Sequence, residues 1–258
     1  MKIVVLGMGK MGSWLATSFR KGNDVAVYDI DSKKASEAKG CRILTSLGEI
    51  KEFQPDLLIN SVNLKNTVKA FNEVVPFLPE ECILADISSI KGDLPNYYRN
   101  SKHRFVSTHP MFGPTNANMS LPVRESSIII RESDEAGKKI FSDLYREMGL
   151  NVYEFSFDEH DSMMAYSLTL PFSSSMVFAA CVDTRAVPGT NFKKHMELAK
   201  GLLSEDDGLL SEILFNPKSI VQIEKITSRL ELLKHIIRDR DYEEAGKFFE
   251  KLRDNISN

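Results

Sequence analysis

The chain has 258 residues, 42% hydrophobic and 27% charged, enough apolar side chain for one or two folded domains and a composition unlike that of disordered chains. Its 33 basic and 36 acidic residues leave a formal charge of −3, which gives no electrostatic case for nucleic acid or a membrane surface as partner, although a small anionic substrate needs only local positive charge. Cys41, Cys82 and Cys181 are far apart and lack metal-ligand spacing, so they read as buried free thiols of a cytoplasmic protein with no metal site.

Lys2–Leu6 is an apolar run ending at glycine, which predicts a buried parallel strand. It is too short, and too soon broken by Gly-Met-Gly, to be a signal peptide. No run approaches the roughly 18–20 apolar residues of a spanning helix. A helix is expected over Met11–Lys21, a strand over Asp24–Asp29 and a helix over Ser32–Lys39. Strands at Leu57–Asn60 and Cys82–Asp86 flank a helical stretch, Asn66–Phe77. Strands at His103–Ser107, Ser126–Arg131 and Asn151–Phe155, with a helix over Asp134–Met148, complete the alternation. Strands separated by helices indicate an α/β fold: a Rossmann-like, doubly wound, mostly parallel sheet.

After Phe155 the periodicity is helical. A long apolar helix is expected over Asp158–Thr184, then helices at Lys193–Leu203, Asp206–Leu214, Ser219–Asp239 and Tyr242–Asn255. The expected division is a dinucleotide-binding domain, 1–156, and an all-helical substrate and dimerisation domain, 157–258. The apolar stripes of these helices exceed what one sheet edge can cover, which implies a homodimer. Pro171, inside the long helix, removes the hydrogen bond to the Ser167 carbonyl and predicts a kink.

Gly7-Met8-Gly9-Lys10-Met11-Gly12 is a GxGxxG motif with a strand before it and a helix after it. Gly7 permits the tight turn, Gly9 lets a pyrophosphate approach the backbone, and Gly12 allows close helix–strand packing. The helix N-terminus, with Lys10 and Met11, then offers N–H groups to phosphate. Asp29 ends the second strand, where a carboxylate bonds ribose hydroxyls and repels a 2′-phosphate. This points to NAD rather than NADP. Ser61-Val62-Asn63, Asp86 to Gly92, and His109 follow three further strand ends, and ligands of such folds bind at those ends.

His109 opens the run His109-Pro110-Met111-Phe112-Gly113-Pro114. Imidazole exchanges a proton near neutral pH, so the residue reads as a base beside a dinucleotide crevice. Ser88 and Ser89 read either as caps of a helix starting near Lys91 or as ligand-facing hydroxyls. Ser173, Ser174 and Ser175 read either as hydroxyls bonded back to their own helix or as pocket lining. His160 reads as a helix-start residue.

Four segments taken together, in order along nearly the whole chain, resemble prephenate/arogenate dehydrogenases of tyrosine biosynthesis. They are Asp86-Ile87-Ser88-Ser89-Ile90-Lys91-Gly92, His109 to Pro114, Glu159-His160-Asp161-Ser162-Met163-Met164-Ala165, and Glu197 to Asp206. The resemblance implies an NAD-dependent dehydrogenase that oxidises and decarboxylates prephenate to 4-hydroxyphenylpyruvate, or arogenate to tyrosine. It implies His109 as base, Ser89 as the hydroxyl-binding serine, and an interlocked helical dimer. Lys91, Ser173, Lys194 and His195 are the candidate substrate contacts. Two positions depart from the family pattern. Phe172 stands where many members carry a second histidine after Leu-Pro, and His195 stands nearest a carboxylate-binding arginine, without that residue's bidentate fork. A β-hydroxyacid dehydrogenase or imine reductase is the alternative enzyme, but the hydroxyacid group's helix lysine is missing from His160 to Thr184. A non-catalytic NAD sensor is the alternative of another class, with little need for His109, Ser89 and Lys91 together.

Overall fold

The apolar run that opens the chain becomes β1 (Lys2–Leu6) in the computed structural model, which describes residues 1–112, 125–183, 185 and 187–257. There follow α1 (Lys10–Phe19), β2 (Asp24–Tyr28), α2 (Ser32–Ser36), β3 (Arg42–Ile43), α3 (Gly48–Phe53), β4 (Leu57–Asn60) and α4 (Leu64–Val74). Then come β5 (Ile83–Asp86), α5 (Leu94–Asn100), β6 (Phe105–Pro110), β7 (Ser126–Ile130), α6 (Glu135–Glu147) and β8 (Asn151–Phe155). The strands form one sheet in the order β3-β2-β1-β4-β5-β6-β7-β8. Every neighbouring pair is parallel except β6 with β7. Strand order reverses beside β1, so the carboxyl ends of β1 and β4 open the crevice where such sheets bind ligands.

The two-residue period of a strand explains the two cores. Ile3 and Val5 of β1 pack with Leu15, Phe19, Phe141 and Tyr145 of α1 and α6. Val4 and Leu6 pack on the opposite face with Phe71, Leu94 and Tyr98 of α4 and α5. Fully buried side chains on both faces are what made β1, β4 and β5 legible as continuous apolar runs.

Ser156 switches the chain from sheet to helix. Its hydroxyl accepts from the Glu159 N–H while the Glu159 carboxylate accepts from the Ser156 N–H, a capping box that starts α7 (Phe157–Met164). A π turn, Ala165–Thr169, and α8 (Leu170–Ala180) continue the same rod. The expected kink at Pro171 thus takes the form of a widened turn holding Ser167, the carbonyl that proline cannot serve. Thr184, the expected end of this helix, lies outside the described residues. Then come α9 (Thr190–Leu202), α10 (Asp207–Leu214), α11 (Ser219–Asp239) and α12 (Tyr242–Ile256).

Two sequence expectations are corrected here. The continuous helix Phe157–Ala180 is long and apolar enough to cross a membrane by length and composition, because Pro171 and the serines interrupt the apolar run without lowering its mean hydropathy enough. Its first turns are built into the α/β fold, with His160, Met164, Ala165 and Thr169 buried. Cys181, expected to be buried, is exposed at the end of α8, whereas Cys82 is buried and Cys41 half-buried.

Candidate active site

The glycine motif forms the turn expected of it. Gly7 has φ +85°, and its N–H donates to the Tyr28 carbonyl at 2.9 Å. A Cβ on Gly12 would stand 1.9 Å from the Gly7 carbonyl oxygen, so only glycine lets α1 approach the turn. A Cβ on Gly9 would meet nothing within 4 Å. Gly9 is also the N-cap of α1 and supplies no side-chain cap. Open space in front of an uncapped helix N-terminus fits a pyrophosphate. Lys10 and Met11 form the first turn of that helix.

Asp29 and Ser61 are built into the glycine turn. Asp29 Oδ2 accepts from the Met8 N–H at 2.6 Å and Oδ1 from the Asp31 N–H at 2.8 Å, so the carboxylate clamps the glycine turn from β2. The Ser61 hydroxyl lies 2.8 Å from both the Leu6 and Gly7 carbonyls. Val62 packs against Gly7. Asn63 is the N-cap residue of α4, exposed, with Oδ1 accepting from Asn66 at 2.8 Å. The strand-end triplet therefore backs the turn as well as lining the crevice.

His109 lies on β6 itself, not in a loop beyond it, because β6 runs on to Pro110. Gly113 and Pro114 of its motif lie outside the described residues. The ring is buried, 6% exposed. Its Nδ1 is 3.0 Å from His160 Nε2, and His160 Nδ1 is 2.8 Å from Asp161 Oδ1. Asp161 also accepts from the Lys91 N–H at 2.9 Å and the Gly92 N–H at 3.1 Å. An ionised Asp161 makes His160 Nδ1 the protonated nitrogen, which leaves His160 Nε2 to accept from His109 Nδ1–H. His109 Nε2 then holds a lone pair, with no partner among the described residues.

Burial holds His109 well below the ordinary histidine range, aided by His160 and Lys91. Burial also lowers His160, with the hydrogen bond to Asp161 opposing. For Asp161, burial pushes the carboxyl up, but hydrogen bonds from His160 and the Lys91 and Gly92 amides prevail and bring it down. Both rings are therefore neutral, and the carboxylate charged, at neutral pH.

The sequence reading of His160 as a helix-start residue missed this pairing. His160 does sit in the first turns of α7, but inward and fully buried. The signal was available in the adjacent His160-Asp161, a ring beside a carboxylate on a helix that starts with its own separate cap.

Three other expectations change. Lys91 was expected to touch substrate, but its side chain is 0% exposed and its ammonium donates to Asp86 Oδ1 and the Thr108 carbonyl, both at 2.8 Å. The helix after β5 starts at Leu94, not near Lys91, so neither Ser88 nor Ser89 caps it. Ser173 takes the backbone alternative, its hydroxyl donating to the Thr169 carbonyl at 2.5 Å. Ser89 is half-buried in the β5–α5 loop, with no hydrogen bond among the described residues. Lys194 and His195 are exposed on α9, where the His195 ring packs near Phe178 at 5.5 Å. Among the described residues, nothing bonds them to the histidine pair.

A separate cavity of about 1210 Å³ lies behind Asp161, lined by Tyr98, Arg99, Phe157, Asn216 and Lys218 among others, and touches neither His109 nor the glycine turn.

Residues 15–143 match the family profile described as "Prephenate dehydrogenase, nucleotide-binding domain". A probable arogenate/prephenate dehydrogenase of Methanocaldococcus jannaschii is 22% identical over 95% of this chain and 60% of its own length. The T-protein of Haemophilus influenzae is 23% identical over 96% of this chain and 62% of its own. The chain thus spans about three-fifths of these curated relatives. Among solved structures, prephenate dehydrogenase from A. aeolicus, bound to hydroxyphenyl propionate and NAD+, superposes with a TM-score of 0.83. That match covers 100% of this chain and 98% of that one at 21% identity. Synechocystis arogenate dehydrogenase superposes with a TM-score of 0.78, covering 99% and 98% at 16% identity.

Proposed function

This chain belongs to the prephenate dehydrogenase family, and we propose that it is a prephenate dehydrogenase, oxidising and decarboxylating prephenate to 4-hydroxyphenylpyruvate with NAD. One observation carries the reading. His109 presents an Nε2 with no partner among the described residues at the carboxyl end of β6, its other nitrogen committed to the His160–Asp161 pair. A base needs that polarity, one nitrogen open and the opposite one anchored.

His109 Nε2 takes the proton of the ring hydroxyl. As the imidazolium forms, Nδ1–H shares its charge with His160, whose own Nδ1–H is held by Asp161. The Ser89 hydroxyl orients the substrate oxygen. Oxidation at that carbon lets the neighbouring ring carboxylate leave as CO₂, its bond electrons completing the aromatic ring. Gly7, Gly9, Lys10, Met11, Gly12, Ser61, Val62 and Asn63 would hold the dinucleotide, with Asp29 at the ribose favouring NAD over NADP. When bound, that cofactor supplies the two-electron acceptor.

The division at residues 1–156 and 157–258 gives the first part the cofactor and the second the substrate and the dimer contact. Exposed apolar side chains on the helices, including Leu170, Val177, Leu198 and Ile237, favour a homodimer. Lys194 and His195 are the cations assigned to the substrate's side-chain carboxylate. They would have to reach it across the interlocked helices of such a dimer. The three free cysteines suit a cytoplasmic enzyme.

Arogenate is the second reading, since a Synechocystis arogenate dehydrogenase shares the fold at a TM-score of 0.78 and Phe172, where many relatives carry a histidine, gives no clue between the two. The test is NADH absorbance after adding NAD with prephenate and, separately, with arogenate. A faster rise with prephenate is expected, and His109→Asn should cut turnover by about 10²–10⁴-fold. NAD binding without turnover of either substrate would overturn the assignment in favour of a sensor. Near-normal turnover by His109→Asn would remove His109 as the base.

A further inference from the structure

Strand β6 loses a neighbour just before it reaches His109. Its pairing with β5 ends at Asp86↔Ser107, while its pairing with β7 continues through Thr108, His109 and Pro110. The base therefore stands on a segment with a strand on one side only. The Lys91 ammonium fills the fork, 2.8 Å from Asp86, the last residue of β5, and 2.8 Å from the Thr108 carbonyl. The main chain of Lys91 meanwhile donates to Asp161 Oδ1, the oxygen that holds His160. Asp86 is fixed in turn by Tyr98 Oη at 2.8 Å and the Ser88 N–H at 3.0 Å.

We propose that Lys91 is a positioning residue for the base, its side chain anchoring the His109 end of the histidine pair and its main chain the Asp161 end. This rests on the proposed role of His109. The contacts form a closed ring: His109, His160, Asp161, the Lys91 amide, the Lys91 ammonium, the Thr108 carbonyl, and back to His109. An error in the placement of Lys91 shifts both ends at once.

Charge adds to geometry. The groups facing the rings are Asp161 from α7, and Asp86 and Lys91 from β5 and its loop. Tyr98 reaches them through Asp86, and Tyr145 of α6 through Thr108, 3.0 Å from its hydroxyl. Lys91 is the cation among them, lowered by burial but supported by Asp86 and Asp161. Burial is the main cause that lowers both rings, and the Lys91 field adds to it, opposed at His160 by Asp161 and Asp86. A ring that stays neutral keeps its Nε2 lone pair available.

The first arm of the test needs no substrate. Histidine side-chain ¹⁵N NMR on the whole protein reads tautomer and titration directly. In the unmodified protein both rings should be neutral at neutral pH, each protonated on Nδ1. Either ring found charged there, or in the other tautomer, overturns the proposal whether or not any variant folds. Lys91→Met alone strands the Asp86 carboxylate, so the informative variant is Asp86→Asn with Lys91→Met, which removes both charges. It should raise the His109 titration, with burial still holding it below the ordinary histidine value, move the acid limb of kcat to higher pH, and lower kcat about tenfold or more with a smaller change in KM. A folded double variant with unchanged ring titration and an unchanged pH profile sinks the proposal. Failure of prephenate and arogenate as substrates would remove the enzyme assignment and leave the ring measurement standing.

Discussion

The sheet half and the helical half satisfy themselves differently. All three buried apolar clusters are built from residues of the sheet half and the first turns of the rod α7–α8. From α9 to α12, by contrast, the buried apolar residues are Ala199, Leu210, Ile213 and Ile236. Several large apolar side chains there face solvent, with Phe215 at 79%, Ile237 at 67% and Ile256 at 84% exposure. The first half carries the glycine turn and the strand that bears His109 on its own core. The second half leaves more apolar surface open and is joined to the first through contacts such as the Lys91 N–H to Asp161 at 2.9 Å and the Lys65 N–H to Glu212 at 3.1 Å.

The largest test of that contrast is assembly. Light scattering should give twice the 29.1 kDa chain mass at micromolar concentration, and charges placed at Leu230→Glu and Ile237→Glu on α11 should yield monomers with a lower melting temperature. A monomeric wild-type protein would end the comparison. Next is the junction. Asp161→Asn removes the charge behind His160 and lets an amide N–H face the ring, so turnover should fall by roughly 10–100-fold, as expected for a lost hydrogen bond to a charged group. Unchanged turnover would mean that the sheet half works without α7.

Acidity gives a third test. His109 and His160 titrate below their ordinary value in the folded state. Below about pH 6.5 the unfolded chain takes protons on them that the folded chain refuses, so stability is full above that pH and falls as the pH drops further. Calorimetry should show a melting temperature that declines with acid from there. A melting temperature rising on acidification would contradict the buried neutral pair. The smallest effect belongs to the sheet half alone. The Asp134 carboxylate caps α6 by accepting from the Ala136 and Gly137 N–H groups, so Asp134→Ala should cost about 1 kcal/mol in denaturant unfolding without altering the oligomer.

What the sequence disclosed follows from period and contact range. Apolar strands such as Lys2–Leu6 and Leu57–Asn60, and the long α11, stand where the residue pattern places them. The missed elements are short. β3 is two exposed residues and α3 six, too brief for a period to register. In the site, GxGxxG was legible because Gly7 and Gly12 answer local steric demands while Gly9 leaves open space before the helix. The His109–His160 contact joins residues 51 apart, and no local pattern encodes which buried ring meets which. Lys91 misled for a related reason. A cation beside a binding loop suggests a ligand, and its burial depends on where β5 stops.

The π turn at Ala165–Thr169 has a further consequence. An α-helix advances about 100° per residue, and a π turn in effect inserts one extra residue into it. The rod is therefore two helical faces out of phase, the first set by the His160–Asp161 contact and the second by whatever covers α8. Chain length, rather than side-chain chemistry, sets the angle between them. Deleting a single residue within the turn would rotate α8 by about a quarter circle against a His160–Asp161 contact that had not moved, changing one face of the rod without touching a residue of the other.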